Sequence, residues 1–284
     1  MRFFVLLIAL TLGVSPVFAG ETFTSIFRLK EETQSEPQKH YRVWLRTIGN
    51  WTQENTTHSD ELQFFSYGLM LGVDRQFNQN WLFGLSFGEN RTAVKFARSP
   101  DKDDIDAFHA DLFVRRTFDQ FFLDVGGNFG YNSHSSFWQQ NATQWGVNGE
   151  AGTWWNHGLG KVEPYIRLSH IYWDGSGNDT QDTLVAGVRY SWRTATDLTT
   201  TVPRLYGGII QELGNRSLFQ VSPFADTPTV FPINDARVSE SRAFLGGGFT
   251  TSMGTSLDIS FRYTAEMSSR HTSHTALLGM NCNF

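Results

Sequence analysis

Residues Leu257-Asp258-Ile259-Ser260-Phe261-Arg262-Tyr263-Thr264-Ala265 carry an apolar or small side chain at every odd position and a polar one at every even position. A period of two is the signature of a β-strand with one apolar and one polar face. The pattern recurs upstream. Leu184, Ala186, Val188, Tyr190 and Trp192 oppose Val185, Gly187, Arg189, Ser191 and Arg193. Phe65, Tyr67, Leu69, Leu71 and Val73 oppose Ser66, Gly68, Met70, Gly72 and Asp74, and Trp81, Phe83, Leu85 and Phe87 oppose Leu82, Gly84, Ser86 and Gly88. Read along the whole chain, the alternation predicts twelve strands over 41–51, 64–76, 80–96, 104–118, 121–134, 143–156, 161–174, 182–193, 203–214, 240–252, 255–266 and 272–284.

Such alternation has two physical explanations. A soluble sandwich buries its apolar faces against each other. A membrane barrel turns them to lipid and keeps charge and Gly inside. Strands of about 11–15 residues exceed the five or six usual in globular sheets and are long enough to cross a bilayer at a tilt. Arg and Asp stand at mid-strand on the polar face, and rings cluster at strand ends, where a membrane interface favours them. Connections after even-numbered strands are short and those after odd-numbered strands longer, above all Asn215–Ser239, as in barrels with short periplasmic turns and long extracellular loops. The Thr194–Val202 connection departs from this rule. The expected fold is all-β, a twelve-stranded antiparallel transmembrane β-barrel, with a short N-terminal helix in the lumen as one option.

Composition agrees once alternation is taken into account. Among 284 residues are 25 Phe, 9 Trp and 26 Gly, with a net charge of -5; mean hydropathy is -0.31. So many rings exclude a disordered chain, and the lack of clustered positive charge excludes a nucleic-acid partner. A single cysteine, Cys282, excludes an internal disulfide and a Cys-rich metal site. Residues 1–19 read as a secretory signal, with Arg2, an apolar run over Phe3–Val14 and Val17-Phe18-Ala19 before the cleavage point. Residues 20–40 are a short linker or pore helix, with Ser25–Gln34 as the helical candidate ahead of Pro37. The barrel takes 41–284.

On the last strand His274, Ala276, Leu278, Met280, Cys282 and Phe284 share one face, and the chain ends on the Phe. Leu278, Met280 and Phe284 together resemble the signal read by the bacterial barrel-assembly machinery, which pairs with an exposed strand edge. With Val43-Trp44-Leu45-Arg46, Tyr67 to Asp74, Trp81 to Gly88, Glu163-Pro164-Tyr165 and Leu184 to Arg189, the chain resembles the translocator barrel of autotransporters. That resemblance implies a twelve-stranded barrel with a helix in its pore, an outer-membrane address after export through the periplasm, and an N-terminal passenger carried to the cell surface. Residues 20–40 leave room for little cargo, so the passenger is expected to be absent or minimal.

Alternation points Arg46, Asp74, Asp111, Arg115, Glu150, Arg167, Arg189 and Arg262 into one interior, with Arg42, Trp44, His109, Asp124, Glu163, Arg193 and Asp258 beside them. Unpaired charge away from bulk water is costly, so mixed signs in a narrow lumen are expected to pair. An ion path or a cradle for a plug is the alternative use. His109 and Asp111 share a strand face, but the Gly-x-Ser-x-Gly string at Gly84 to Gly88 lies inside an alternating strand, so no strand-to-helix nucleophile elbow accompanies them. His271 and His274 face opposite sides of a strand. The expectation is therefore no enzyme, no cofactor and no metal, in a monomer whose partners are outer-membrane lipids and the assembly machinery. A small-solute channel and a soluble exported sandwich are the rival readings.

Overall fold

The computed structural model describes residues 41–54, 62–78, 80–96, 102–134, 141–174, 178–213, 219–222, 229–232, 241–254 and 256–284. The signal, the Ser25–Gln34 helix, Pro223 and Pro228 lie outside the described residues. Twelve long strands form the wall: β1 (Tyr41–Glu54), β2 (Leu62–Asn78), β3 (Trp81–Phe96), β4 (Lys102–Thr117), β5 (Phe121–His134), β6 (Ala142–Thr153), β7 (Gly160–Asp174), β8 (Asn178–Trp192), β9 (Thr199–Leu213), β10 (Ser241–Met253), β11 (Leu257–Met267) and β12 (His271–Asn283). Each pairs antiparallel with its sequence neighbours, and β12 returns to β1 from Arg42–Asn283 to Glu54–His271. The sheet is a closed barrel with no free edge, which satisfies every ladder group inside a membrane.

The outward face settles the choice left open by alternation. Phe87 is 60% exposed, Ile166 56% and Leu245 67%, while Arg46 and Glu150 on the inward face are 1% and 0% exposed. A soluble sandwich inverts that arrangement, so the chain spans a membrane and the sandwich reading falls.

Tight turns close one end. Asn78 Oδ1 accepts the backbone N–H groups of Asn80 and Trp81 at 2.8 and 3.0 Å. Gly158 and Gly254 sit at φ 58° and 59°, a left-handed conformation that costs Gly nothing. The Thr194–Val202 exception also resolves. Thr194 and Ala195 extend β8 and pair with Thr201 and Thr200. The turn itself is only Thr196–Thr199, closed by Thr196 N–H to Thr199 O at 2.8 Å. The Trp155–His157 segment likewise prolongs the β6–β7 hairpin against Lys161. At the other end the β9–β10 connection is not loop throughout: Phe219–Ser222 and Thr229–Pro232 pair as a small hairpin. The β11–β12 turn at that end is tight, with Ser268 Oγ accepting from the backbone N–H of Arg270 and His271.

Inward-facing rings explain the glycines of the polar face. Trp44, Phe113, Tyr165 and Tyr206 are each directly paired across the sheet with Gly72, Gly84, Gly187 and Gly246. A Cβ at Gly72, Gly84 or Gly246 would fall inside the ring opposite. These glycines make room for side chains that lie flat on the wall, rather than marking a wet surface.

Candidate functional site

The lumen wall is built from charged side chains that meet across neighbouring strands. Near the tight-turn end Arg42 on β1 donates Nε to Asp74 Oδ2 on β2 at 2.8 Å. Arg115 on β4 grips Asp124 on β5 through two bonds of 2.6 and 3.0 Å. Parallel bonds of this kind are the strong form of the Arg–carboxylate pair.

Glu150 on β6 is the hub of the largest group. Its Oε2 accepts from Arg167 Nη2 on β7 at 2.8 Å. Arg189 on β8 donates to Oε1 and Oε2 at 2.8 and 2.9 Å, and also to Glu163 Oε1 at 3.3 Å. The guanidinium of Arg189 lies 3.5 Å from the Tyr165 ring centroid. A third group joins Glu212 on β9 to Arg242 on β10 at 2.8 Å, with Glu266 on β11 3.7 Å from Arg242. Register sets Arg42 opposite Asp74, Arg115 opposite Asp124, Glu150 opposite Arg167 and Glu163 opposite Arg189. Arg189 reaches Glu150 past β7, and Arg242, opposite Ile210, meets Glu212 on the diagonal.

All eight lumen candidates, from Arg46 and Asp74 through Asp111, Arg115, Glu150, Arg167 and Arg189 to Arg262, are buried on the inward face. They do not form one cluster. Asp111 accepts from Ser86 Oγ at 3.1 Å. Arg46 stacks 3.8 Å over Trp44, and Arg262 lies 5.5 Å from the Tyr206 ring. Arg193 is the misplaced member of the wider set: it is exposed at the break between Trp192 and the Thr194–Ala195 extension of β8. The sequence reading missed Arg204, Glu212 and Arg242, all buried. Their signal was the same alternation: Arg204, Tyr206, Ile210 and Glu212 share a parity on β9.

The hydroxyl of Ser86 points to a carboxylate and not to an imidazole, so the His109–Asp111 pair is not arranged to activate it. His271 is buried inside, while His274 faces outward and its Nδ1 lies 2.6 Å from Tyr263 Oη. On the last strand Leu278 is 53% exposed and Phe284 70%, and the Phe284 N–H bonds Tyr41 O across the closure. Met280 shares their outward face.

Fold and lumen together define a class: a closed twelve-stranded barrel of the bacterial outer membrane with a charge-paired interior. A family model described as autotransporter beta-domain matches residues 43–264, and the chain belongs to that family. Among solved structures it is similar to the beta domain of the Bordetella autotransporter BrkA, with a TM-score of 0.70, 14% identity and coverage of 86% of this chain and 100% of that one. The translocator domain of autotransporter NalP from Neisseria meningitidis gives 0.67 and 16%, covering 91% and 94%. At these identities the likeness shows the fold. An extracellular serine protease of Serratia marcescens is 22% identical over 271 residues, covering 85% of this chain. The chain spans 26% of that relative's length.

Proposed function

We propose that the barrel conducts the polypeptide preceding β1 from the periplasm to the cell surface, and that it does no catalysis of its own. The observation that carries this reading is where β1 begins. Tyr41 lies at the tight-turn end, hydrogen-bonded to the last residue of the chain. Short turns mark the periplasmic end of such barrels, so a segment ahead of Tyr41 reaches the surface only through the lumen. A wall whose charges are already paired offers that segment a polar surface without a strong net field, which favours passage over capture. The last strand, with Leu278, Met280 and Phe284 on its outer face, is proposed as the feature the assembly machinery engages.

The test is an epitope placed immediately before Tyr41, read by antibody and protease on intact cells. Surface exposure is expected. An epitope that stays inside cells whose barrel is folded and heat-modifiable would overturn the translocator reading. It would favour a small-solute channel, which steady single-channel conductance in planar bilayers would identify.

A further inference from the structure

Two arginines stand out on the lipid-facing surface. Arg75 on β2 and Arg116 on β4 stand at exposed, outward strand positions near the tight-turn end. Both are exposed, and among the described residues neither forms an ion pair.

Rings hold each of them. The Arg75 guanidinium lies 4.8 Å from the Tyr41 ring and 4.5 Å from that of Phe77. Arg116 lies 5.0 Å from Trp81 and 4.6 Å from Phe118. The two clamps are joined through Phe83, whose ring is 5.0 Å from Phe77 and 5.9 Å from Trp81. A bulge contributes: the β2–β3 register skips Phe77 between Gln76–Leu82 and Asn78–Trp81, and such irregularities re-aim a side chain at a barrel rim. Register sets the spacing. Arg75 pairs with Phe83, and Arg116 with Trp81 two residues along the same strand. Two strand spacings and two residue rises put their backbones roughly 12 Å apart.

We propose that this sector binds the phosphate of an anionic phospholipid in the periplasmic leaflet. Aromatic belts lie at headgroup depth, so both guanidinium groups sit at the level of lipid phosphate. A cation–ring contact draws on the charge of a guanidinium and consumes none of its in-plane N–H donors. That edge matches two phosphate oxygens, a geometry Lys cannot offer. Rings on either side hold the donor in place before the lipid arrives, which reduces the entropy lost on binding. Elsewhere on the same rim Trp155 and Met253 expose apolar surface, whereas the two arginine–ring clamps both lie on the β1–β4 side. The inference rests on the barrel lying in a bilayer with its tight-turn end in the periplasm.

The experiment uses the whole barrel in nanodiscs of equal phosphatidylglycerol and phosphatidylcholine, followed by native mass spectrometry of retained lipid. The natural protein is expected to retain phosphatidylglycerol at least threefold over phosphatidylcholine. Arg75→Gln with Arg116→Gln should bring the ratio near one. Arg91→Gln should leave it unchanged, since Arg91 lies towards the opposite end and pairs with Asp104 at 3.0 Å. Arg75→Lys with Arg116→Lys keeps both charges, loses the planar edge and should at least halve the preference; it also carries the test where the glutamine pair does not fold. An undiminished preference in both double variants overturns the proposal, as does an equal loss in Arg91→Gln. Failure of the natural chain to enter discs as a heat-modifiable barrel would sink the membrane reading together with this one. Entry without lipid preference would sink this one alone.

Discussion

Glu150 shows how much one residue carries in the lumen. It is fully buried and serves two arginines from two further strands. Removing its charge leaves Arg167 without this partner and Arg189 with the longer bond to Glu163. Losing one member of a buried pair costs about 3–5 kcal/mol. Glu150→Gln is therefore expected to lower stability by about 3 kcal/mol or more, read as the urea midpoint of the detergent-solubilised barrel. Glu266→Gln is the comparison, since its carboxylate is 3.7 Å from Arg242, beyond hydrogen-bond distance; a smaller loss than at Glu150 is expected. Equal losses would show that the Glu150 hub has no special weight. Gly84 gives a steric test at the same scale. Gly84→Val should cost about 1–3 kcal/mol through overpacking against Phe113, and adding Phe113→Ala should recover part of that. A double variant worse than the sum of the two single losses would refute the ring-over-glycine account.

At the scale of elements, the strands were readable because burial on one face of a closed wall imprints period two on every one of them. Leu257–Ala265 already showed both surfaces of the barrel. Segments without a one-sided environment were not readable. Thr194 and Ala195 are both exposed, as are Trp155, Asn156 and His157, so neither extension alternates although both are strand. The hairpin formed by Phe219–Ser222 and Thr229–Pro232 was likewise read as loop. The pairing partners of the lumen charges were hidden for another reason. Parity gives the face, but only register brings Glu150 opposite Arg167, and register depends on turn lengths as well as pattern. The closing element carries its own prediction. Phe284 adds one backbone bond to Tyr41 and is otherwise exposed. Deleting it should reduce the barrel recovered from outer membranes severalfold, while shifting the midpoint of protein refolded in detergent by about 1 kcal/mol or less. A large loss in detergent would make Phe284 a structural residue and not an assembly signal.

For the whole molecule, composition and architecture agree only once direction is considered. A mean hydropathy of -0.31 belongs to a chain that crosses a membrane twelve times, because apolar positions are turned outward and polar ones inward in nearly equal number. Orientation then decides function, since it fixes which compartment the chain ahead of Tyr41 enters from. The tight-turn end offers probes for it. Leu159 is 93% and Leu198 83% exposed at the tips of neighbouring hairpins. In a Cys282→Ser background, Leu198→Cys is expected to resist a bulky maleimide too large for the lumen on intact cells, and to react once the outer membrane is permeabilised. Asp174→Cys, exposed at the opposite end of β7, should react on intact cells. The reverse pattern would place Tyr41 at the cell surface, and a segment ahead of it would then have no need of the lumen. The translocator reading and the phospholipid site would both fail, because each depends on the Tyr41 end facing the periplasm, whereas the paired lumen wall would stand unchanged.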